Sequence, residues 1–258
     1  NQLFHTVGGS KGESGLLSGL FMARYTLDGK YTLSGSFRRD GSSKLPEDNR
    51  WRNFFSVGGT WDMTKENFMT KQKFINTLRL KANYGSAGNA NNFPGGFYPY
   101  QATYTGGAYQ GLNTIIASYL GNPSLVWETT YTLNLGMDFE VLNRRIYGDF
   151  NWYDRRTKDL FVNKALSATA GFGNGAGLDI NAGELQNTGV ELTINGDIIR
   201  KKDLVWTVFG NVGYNKNKVV SLGGEASFEV GTELVTVGLP LGSHYEVKWA
   251  GVDAATGQ

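Results

Sequence analysis

Between Thr130 and Val141 the chain reads Thr-Tyr-Thr-Leu-Asn-Leu-Gly-Met-Asp-Phe-Glu-Val, an almost unbroken alternation of polar and apolar residues. Successive side chains of a strand point to opposite sides. Tyr131, Leu133, Leu135, Met137, Phe139 and Val141 therefore share one face, and Thr132, Asn134, Gly136, Asp138 and Glu140 the other. The run is about twice the usual strand length of roughly 5–6 residues and matches the roughly 9–11 tilted residues that cross a bilayer. One face is apolar throughout and the other carries formal charge, the pattern of a strand with lipid on one side and a watery lumen on the other.

The same period recurs along the chain in strand pairs. Leu16–Leu27 and Tyr31–Arg39 flank Asp28-Gly29-Lys30, and Asp-Gly supplies the positive φ of a tight hairpin. A polar loop, Asp40–Arg50, leads to Phe54–Trp61, and a connection around Thr64–Lys73 leads to Thr77–Gly85. A long Gly-, Asn- and Tyr-rich loop, Ser86–Pro123, precedes Thr130–Val141, which turns at Leu142-Asn143-Arg144 into Arg145–Phe161. A second Gly-rich loop, Val162–Leu185, precedes Thr188–Ile199, and a turn at Arg200–Asp203 leads to Leu204–Val219. The expectation is eight antiparallel strands and no long helix, with short turns at one end and long loops at the other. Outer-membrane barrels have this asymmetry, short turns facing the periplasm and long loops facing outside.

A soluble β-sandwich or up-and-down barrel alternates in the same way, its apolar face packed inward. Strand length, one-sided loop length and the aromatics near strand ends (Tyr31, Trp61, Tyr84, Trp127, Tyr131, Trp152, Trp206, Tyr214) favour the membrane barrel. Facing follows from energetics. An Arg or Lys at the bilayer midplane costs about 2–4 kcal/mol, so Arg79 and Lys81 together on lipid would approach a whole domain's stability of about 5–15 kcal/mol. The charged parity must face the lumen.

Composition excludes more than it identifies. No stretch approaches the roughly 18 apolar residues of a spanning helix. The net charge of +2 gives no case for nucleic acid, and the absence of Cys removes disulfides, zinc-thiolate sites and thiol catalysis. Asn1 is followed by neither a basic nor an apolar leader segment, so the numbering is expected to start inside a longer chain.

Phe37-Arg38-Arg39-Asp40-Gly41-Ser42-Ser43, then Asn49-Arg50-Trp51 and Phe54-Phe55-Ser56-Val57, resembles a stretch of the SusC/RagA-type TonB-dependent transporters, outer-membrane importers of the Bacteroidetes. Leu78–Gly85, Leu120–Thr129, Gly183–Leu192, Tyr153 with Thr157-Lys158-Asp159-Leu160, and the closing Gly251–Gly257 fit the same family in order. Arg52-Asn53 departs from the aromatic or Gly-Pro residues common there. The resemblance implies an all-β fold, a segment of a large antiparallel transmembrane β-barrel of 22 strands, with about eight strands in residues 1–258. It implies a plug, a signal peptide and final strands outside this segment. Implied partners are a SusD-like surface lipoprotein, the TonB–ExbB–ExbD motor acting through the plug, the lipid bilayer, and a glycan or peptide cargo. The implied function is active nutrient import across the bacterial outer membrane.

No catalytic, cofactor or metal site is expected. His5 and His244 read as surface or loop residues rather than catalytic bases. Gly171-Phe172-Gly173-Asn174-Gly175 has neither dinucleotide nor P-loop spacing. Asp138, Glu140, Glu191 and Asp197 follow the strand period, as lumen hydration requires. Asp40 and Asp48 lack the ligand density of a calcium loop. The aromatics of the longest loop, Phe93, Phe97, Tyr98, Tyr100, Tyr104 and Tyr109, suit stacking on sugars or peptides, contact with a lid protein, or packing of the loop on itself. Phe97, Tyr98, Tyr100, Tyr104, Tyr109 and Arg38 are the candidate contact residues, with Arg38 also placed to pair with Asp40 or Asp48. The readings other than import are a non-transporting outer-membrane barrel or adhesin, and a soluble secreted glycan-binding β-domain.

Overall fold

The structure, a computed structural model, describes residues 11–90, 98–167, 169, 171–172, 177–230, 232–247, 249 and 251. Strands β1 (Leu16–Leu27), β2 (Tyr31–Ser42), β3 (Trp51–Asp62), β4 (Ile75–Asn89), β7 (Glu128–Val141), β8 (Ile146–Ala165), β9 (Gly177–Arg200) and β10 (Val205–Leu222) form one sheet in the order β1-β2-β3-β4-β7-β8-β9-β10. Every neighbouring pair is antiparallel. This is the expected eight-stranded meander. Short 3-10 turns lie at Glu47–Asn49, Met63–Lys65 and Asn67–Met69. Among the described residues no helix is long and apolar enough to cross a membrane.

Two of the three short turns are built on positive φ. Asp28 (51°) and Gly29 (63°) close the first, and Leu142, Asn143 and Arg144 (55°, 56° and 63°) close the second. Non-glycine residues rarely adopt this conformation. It is held at Leu142–Arg144 by Leu142 N–H to Phe74 O (2.9 Å), Arg144 N–H to Asn76 Oδ1 (2.9 Å) and Arg145 N–H to Val141 O (3.1 Å).

Two expectations about the loops need correction, and one sheet is not anticipated by the sequence. The segment Ser86–Pro123 is not simply a loop: β4 runs on to Asn89, and β5 (Thr103–Tyr109) pairs with β6 (Leu112–Tyr119) as a separate hairpin. Its turn is Gln110-Gly111, both at positive φ. Most of Val162–Leu185 is strand, because β8 continues to Ala165 and β9 starts at Gly177. A register shift between Thr157 and Leu160, with Asp159 at φ 58°, absorbs the irregularity that breaks the sequence pattern there. Finally, β11 (Ser227–Val230), β12 (Glu233–Thr236) and β13 (Ser243–His244) form a small third sheet.

Register sorts the faces. Arg79 stands opposite Asp62 and Asp138, while Leu80 stands opposite Trp61 and Met137. The apolar face is open: Leu33 is 60% exposed, Val212 64% and Leu135 45%. A sandwich would pack this face against a second sheet, and none of the described strands covers it. Strand β1 departs from the alternation, since Leu16, Leu20 and Met22 share the polar side with Arg24.

The buried cores are small and lie at the long-loop end. Leu45, Phe54, Ala90, Leu125 and Trp127 form one, with Tyr100 and Phe161 packed against it. Val219, Leu222 and Val235 form the other, which Leu185 and Phe228 join as β11 and β12 fold back on the sheet.

Candidate functional site: the polar wall and its long-loop rim

The polar face is layered by charge. Near the short turns, Asp138 sits between Lys81 Nζ (2.5 Å) and Arg79 Nη1 (3.7 Å), and Arg79 Nη2 lies 3.6 Å from Asp62. With Arg24, Lys30 and Lys65 these groups line a recess of about 510 Å3 in which cations outnumber carboxylates. Such partly exposed pairs contribute about 0–1 kcal/mol each. Their effect is on the field inside the wall more than on its stability.

Above this lies a band of neutral amides. Asn83, Asn134, Asn151, Asn187 and Asn215, with Tyr153, Arg155 and Glu191, border a recess of about 600 Å3. Tyr153 lies over Gly189, where a Cβ would come within 2.5 Å of its hydroxyl, and donates to Asn215 Oδ1 at 3.0 Å. A wall of amide donors and acceptors suits hydrogen bonding to peptide groups or hydroxyls.

The rim is where the family-like motifs act, and they act as clamps. In Leu120–Thr129, Gly121 (φ 55°) passes so close to the Gln101–Ala102 backbone that a Cβ would overlap it. Asn122 Nδ2 donates to Asp179 O (2.8 Å), and the Asn181 side chain accepts from Val126 N–H (2.9 Å) and donates to Val126 O and Asp159 O. Trp127 Nε1 donates to Arg50 O (2.9 Å). Glu128 accepts from Asn89 Nδ2 and Phe161 N–H, each at 2.9 Å. Asp179, 2% exposed, accepts from Tyr119 Oη and Asn163 Nδ2, each at 2.7 Å. Burial pushes the Tyr119 phenol well above its ordinary pKa, and its bond to Asp179 pushes the same way. The phenol therefore stays protonated, and a donor, at physiological pH. In the first motif, Trp51 lies over Gly41, where a Cβ would overlap the indole.

The candidate contacts separate. Arg38 Nε pairs with Asp40 (2.8 Å), and its guanidinium lies over Phe54 at 5.6 Å. Tyr100 packs on the first core, and Tyr98 donates to Glu13 O at 3.2 Å. Tyr104 and Tyr109 stand on the β5–β6 hairpin, 65% and 67% exposed, beside exposed Leu112 and Ile115. Phe93 and Phe97 lie outside the described residues, as do His5 and residues 252–258. The sequence does not single out Asp179, Asn181 and Tyr119, because their roles depend on partners 16 to 60 positions away. Among the described residues no three His, Cys, Asp or Glu side chains gather to hold a metal ion.

Residues 11–244 match the family model described as TonB dependent receptor-like, beta-barrel. The chain is 36% identical over 228 residues to TonB-dependent receptor P39 of Formosa agariphila, covering 88% of this chain and 22% of that protein. It is 32% identical over 213 residues to TonB-dependent receptor SusC of Bacteroides thetaiotaomicron, covering 78% and 20%. A solved structure of the RagAB peptide transporter superposes with a TM-score of 0.84 at 30% identity, covering 94% of this chain and 26% of that one. The chain thus spans about a fifth to a quarter of the length of these relatives. With an eight-stranded meander of one apolar and one polar face, and a match that runs almost end to end, the chain belongs to the TonB-dependent receptor β-barrel family.

Proposed function

We propose that this chain is a segment of the barrel wall of an active nutrient importer in a bacterial outer membrane. The cargo is a glycan or an oligopeptide, and a SusD-like surface lipoprotein sits over the long-loop end. The observation that carries the reading is the division of the eight-stranded sheet into an open apolar face and an amide- and charge-lined polar face, in a fold that superposes on the RagAB peptide transporter. The apolar face meets lipid and the polar face borders the transport path. In this reading residues 1–258 lie wholly within the barrel domain, and energy arrives through a plug coupled to TonB–ExbB–ExbD.

The β5–β6 hairpin, with Tyr104, Tyr109, Leu112 and Ile115 exposed, is the proposed lipoprotein or cargo surface. Exposed aromatic and aliphatic anchors on a rigid hairpin suit protein contact. The test is made in the full-length protein: replace Thr103–Tyr119 by a short Gly-Ser link, then measure lipoprotein co-purification and uptake of labelled oligopeptides and oligosaccharides. Loss of either with an intact, heat-modifiable barrel is expected. Unchanged co-purification and uptake would remove the hairpin from the transport surface.

A further inference from the structure

Toward the long loops the apolar face ends in a strip whose free charges are positive. Trp152, Val190 and Tyr214 stand side by side in register on β8, β9 and β10. Two residues farther along come Asp154, Thr188 and Lys216, and then Arg156, Gln186 and Lys218. Lys158 follows on the same side of β8, opposite Thr129. The anions in this strip are already engaged. Asp154 accepts from Gln186 Nε2 (2.9 Å) and Thr188 Oγ1 (3.3 Å), and Glu184 lies 3.5 Å from Arg156 Nε. Lys158, Lys216 and Lys218 are exposed and make no ion pair among the described residues.

The short-turn end is different. There the aromatics at the edge of the apolar face, Tyr31 and Trp61, both donate to Glu66, which also holds Lys30 at 3.2 Å. Charge beside Tyr31 and Trp61 is neutralised within the protein. At the long-loop edge it is not, and Arg39, lying over Trp51 at 5.5 Å, adds a further cation on the same face.

We propose that Lys158, Lys216 and Lys218, with the Glu184-paired Arg156 beside them, bind the phosphate groups of a lipid headgroup in the leaflet at the long-loop end. Strands β8 and β10 flank β9, so Arg156 and Lys218 are separated by two strand spacings, about 10 Å. Long basic side chains on either side of Gln186 span that gap around one phosphate. Their apolar stems lie on the belt of Trp152 and Tyr214 while the charged ends reach the headgroup layer. Each Lys or Arg at an anionic lipid surface strengthens association about fivefold. The inference rests on the membrane placement proposed above and adds the chemistry of the lipid.

The test uses the full-length protein in detergent and native mass spectrometry, with diphosphorylated lipid A, its dephosphorylated form and phosphatidylcholine as probes. Wild-type protein is expected to retain the diphosphorylated lipid preferentially, and 0.5 M salt to weaken that preference. The triple variant K158Q/K216Q/K218Q is expected to lose about a hundredfold in affinity, and K158R/K216R/K218R to keep it. Equal retention of phosphorylated and dephosphorylated lipid, or equal affinity of wild type and the Gln variant, overturns the proposal. So does displacement by inorganic phosphate at matched concentration, which would make the strip a soluble-anion site. Heat-modifiability on gels is recorded in parallel. Its absence in the wild-type protein overturns the membrane reading itself, whereas its presence with equal lipid retention overturns only the headgroup site.

Discussion

The hydroxyl of Tyr119 donates to the buried carboxylate of Asp179 across 2.7 Å, joining the last residue of the β5–β6 hairpin to the loop-side start of β9. The hairpin has no strand pairing with the main sheet, so this bond and Asn122 to Asp179 O fix how it sits at the rim. Tyr119→Phe leaves Asp179 with one fewer donor, a local cost of about 1–3 kcal/mol. Limited proteolysis at the Tyr109–Leu112 tip of the full-length protein should accelerate about tenfold or more, with the barrel's heat shift unchanged. Equal cleavage rates would show that the hairpin is held elsewhere.

Facing is tested by neighbours. Leu135→Arg places a charge on the apolar face and should cost about 2–4 kcal/mol, while Asn134→Arg, on the amide wall, should cost little. Comparable folding defects in the two variants would place Leu135 away from lipid.

Orientation is tested by labelling intact cells with an impermeant maleimide. Gln110→Cys and Lys44→Cys, at the long-loop end, should react, while Gly29→Cys and Asn143→Cys, in the short turns, should not. Reaction of the turns with protection of the loops would invert the barrel.

Glu66 links acidity to the short-turn edge. Its bonds from Tyr31, Trp61 and Lys30 hold its carboxyl below the ordinary value of 4.5. A carboxyl whose folded pKa is depressed contributes stability above its unfolded pKa and loses it as pH falls through the folded one. Fluorescence sensitive to Trp61 should therefore change below about pH 4.5 in wild type and show no such transition in Glu66→Gln. Identical titrations would mean that the indole does not sense this carboxyl.

The Gly189 position is constrained by Tyr153 and by Tyr214 O, which a Cβ would approach to 2.4 Å. Gly189→Val is expected to cost about 1–3 kcal/mol by overpacking and to break the Tyr153–Asn215 bond, read as a lowered heat-modification temperature. An unchanged temperature would show that the wall relaxes freely there.

The meander, the short turns and the two faces follow from the order of residues alone. These rest on period-two alternation and local turn chemistry, both properties of residues close in the chain. Arg79 and Lys81 had to face water wherever their strand lay, and the register with Asp62 and Asp138 agrees. The rim depends on long-range contacts made in the folded chain. Strands β8 and β9 run far into a Gly-rich stretch because each supplies the other's hydrogen bonds, and β5–β6 pairs through a Gln-Gly turn. Asp179, Asn181 and Glu128 clamp segments tens of residues apart. A polar side chain in a loop looks the same in sequence whether it meets water or a distant backbone group. The closing of long loops on one another, which removes that group from solvent, is what distinguishes the two.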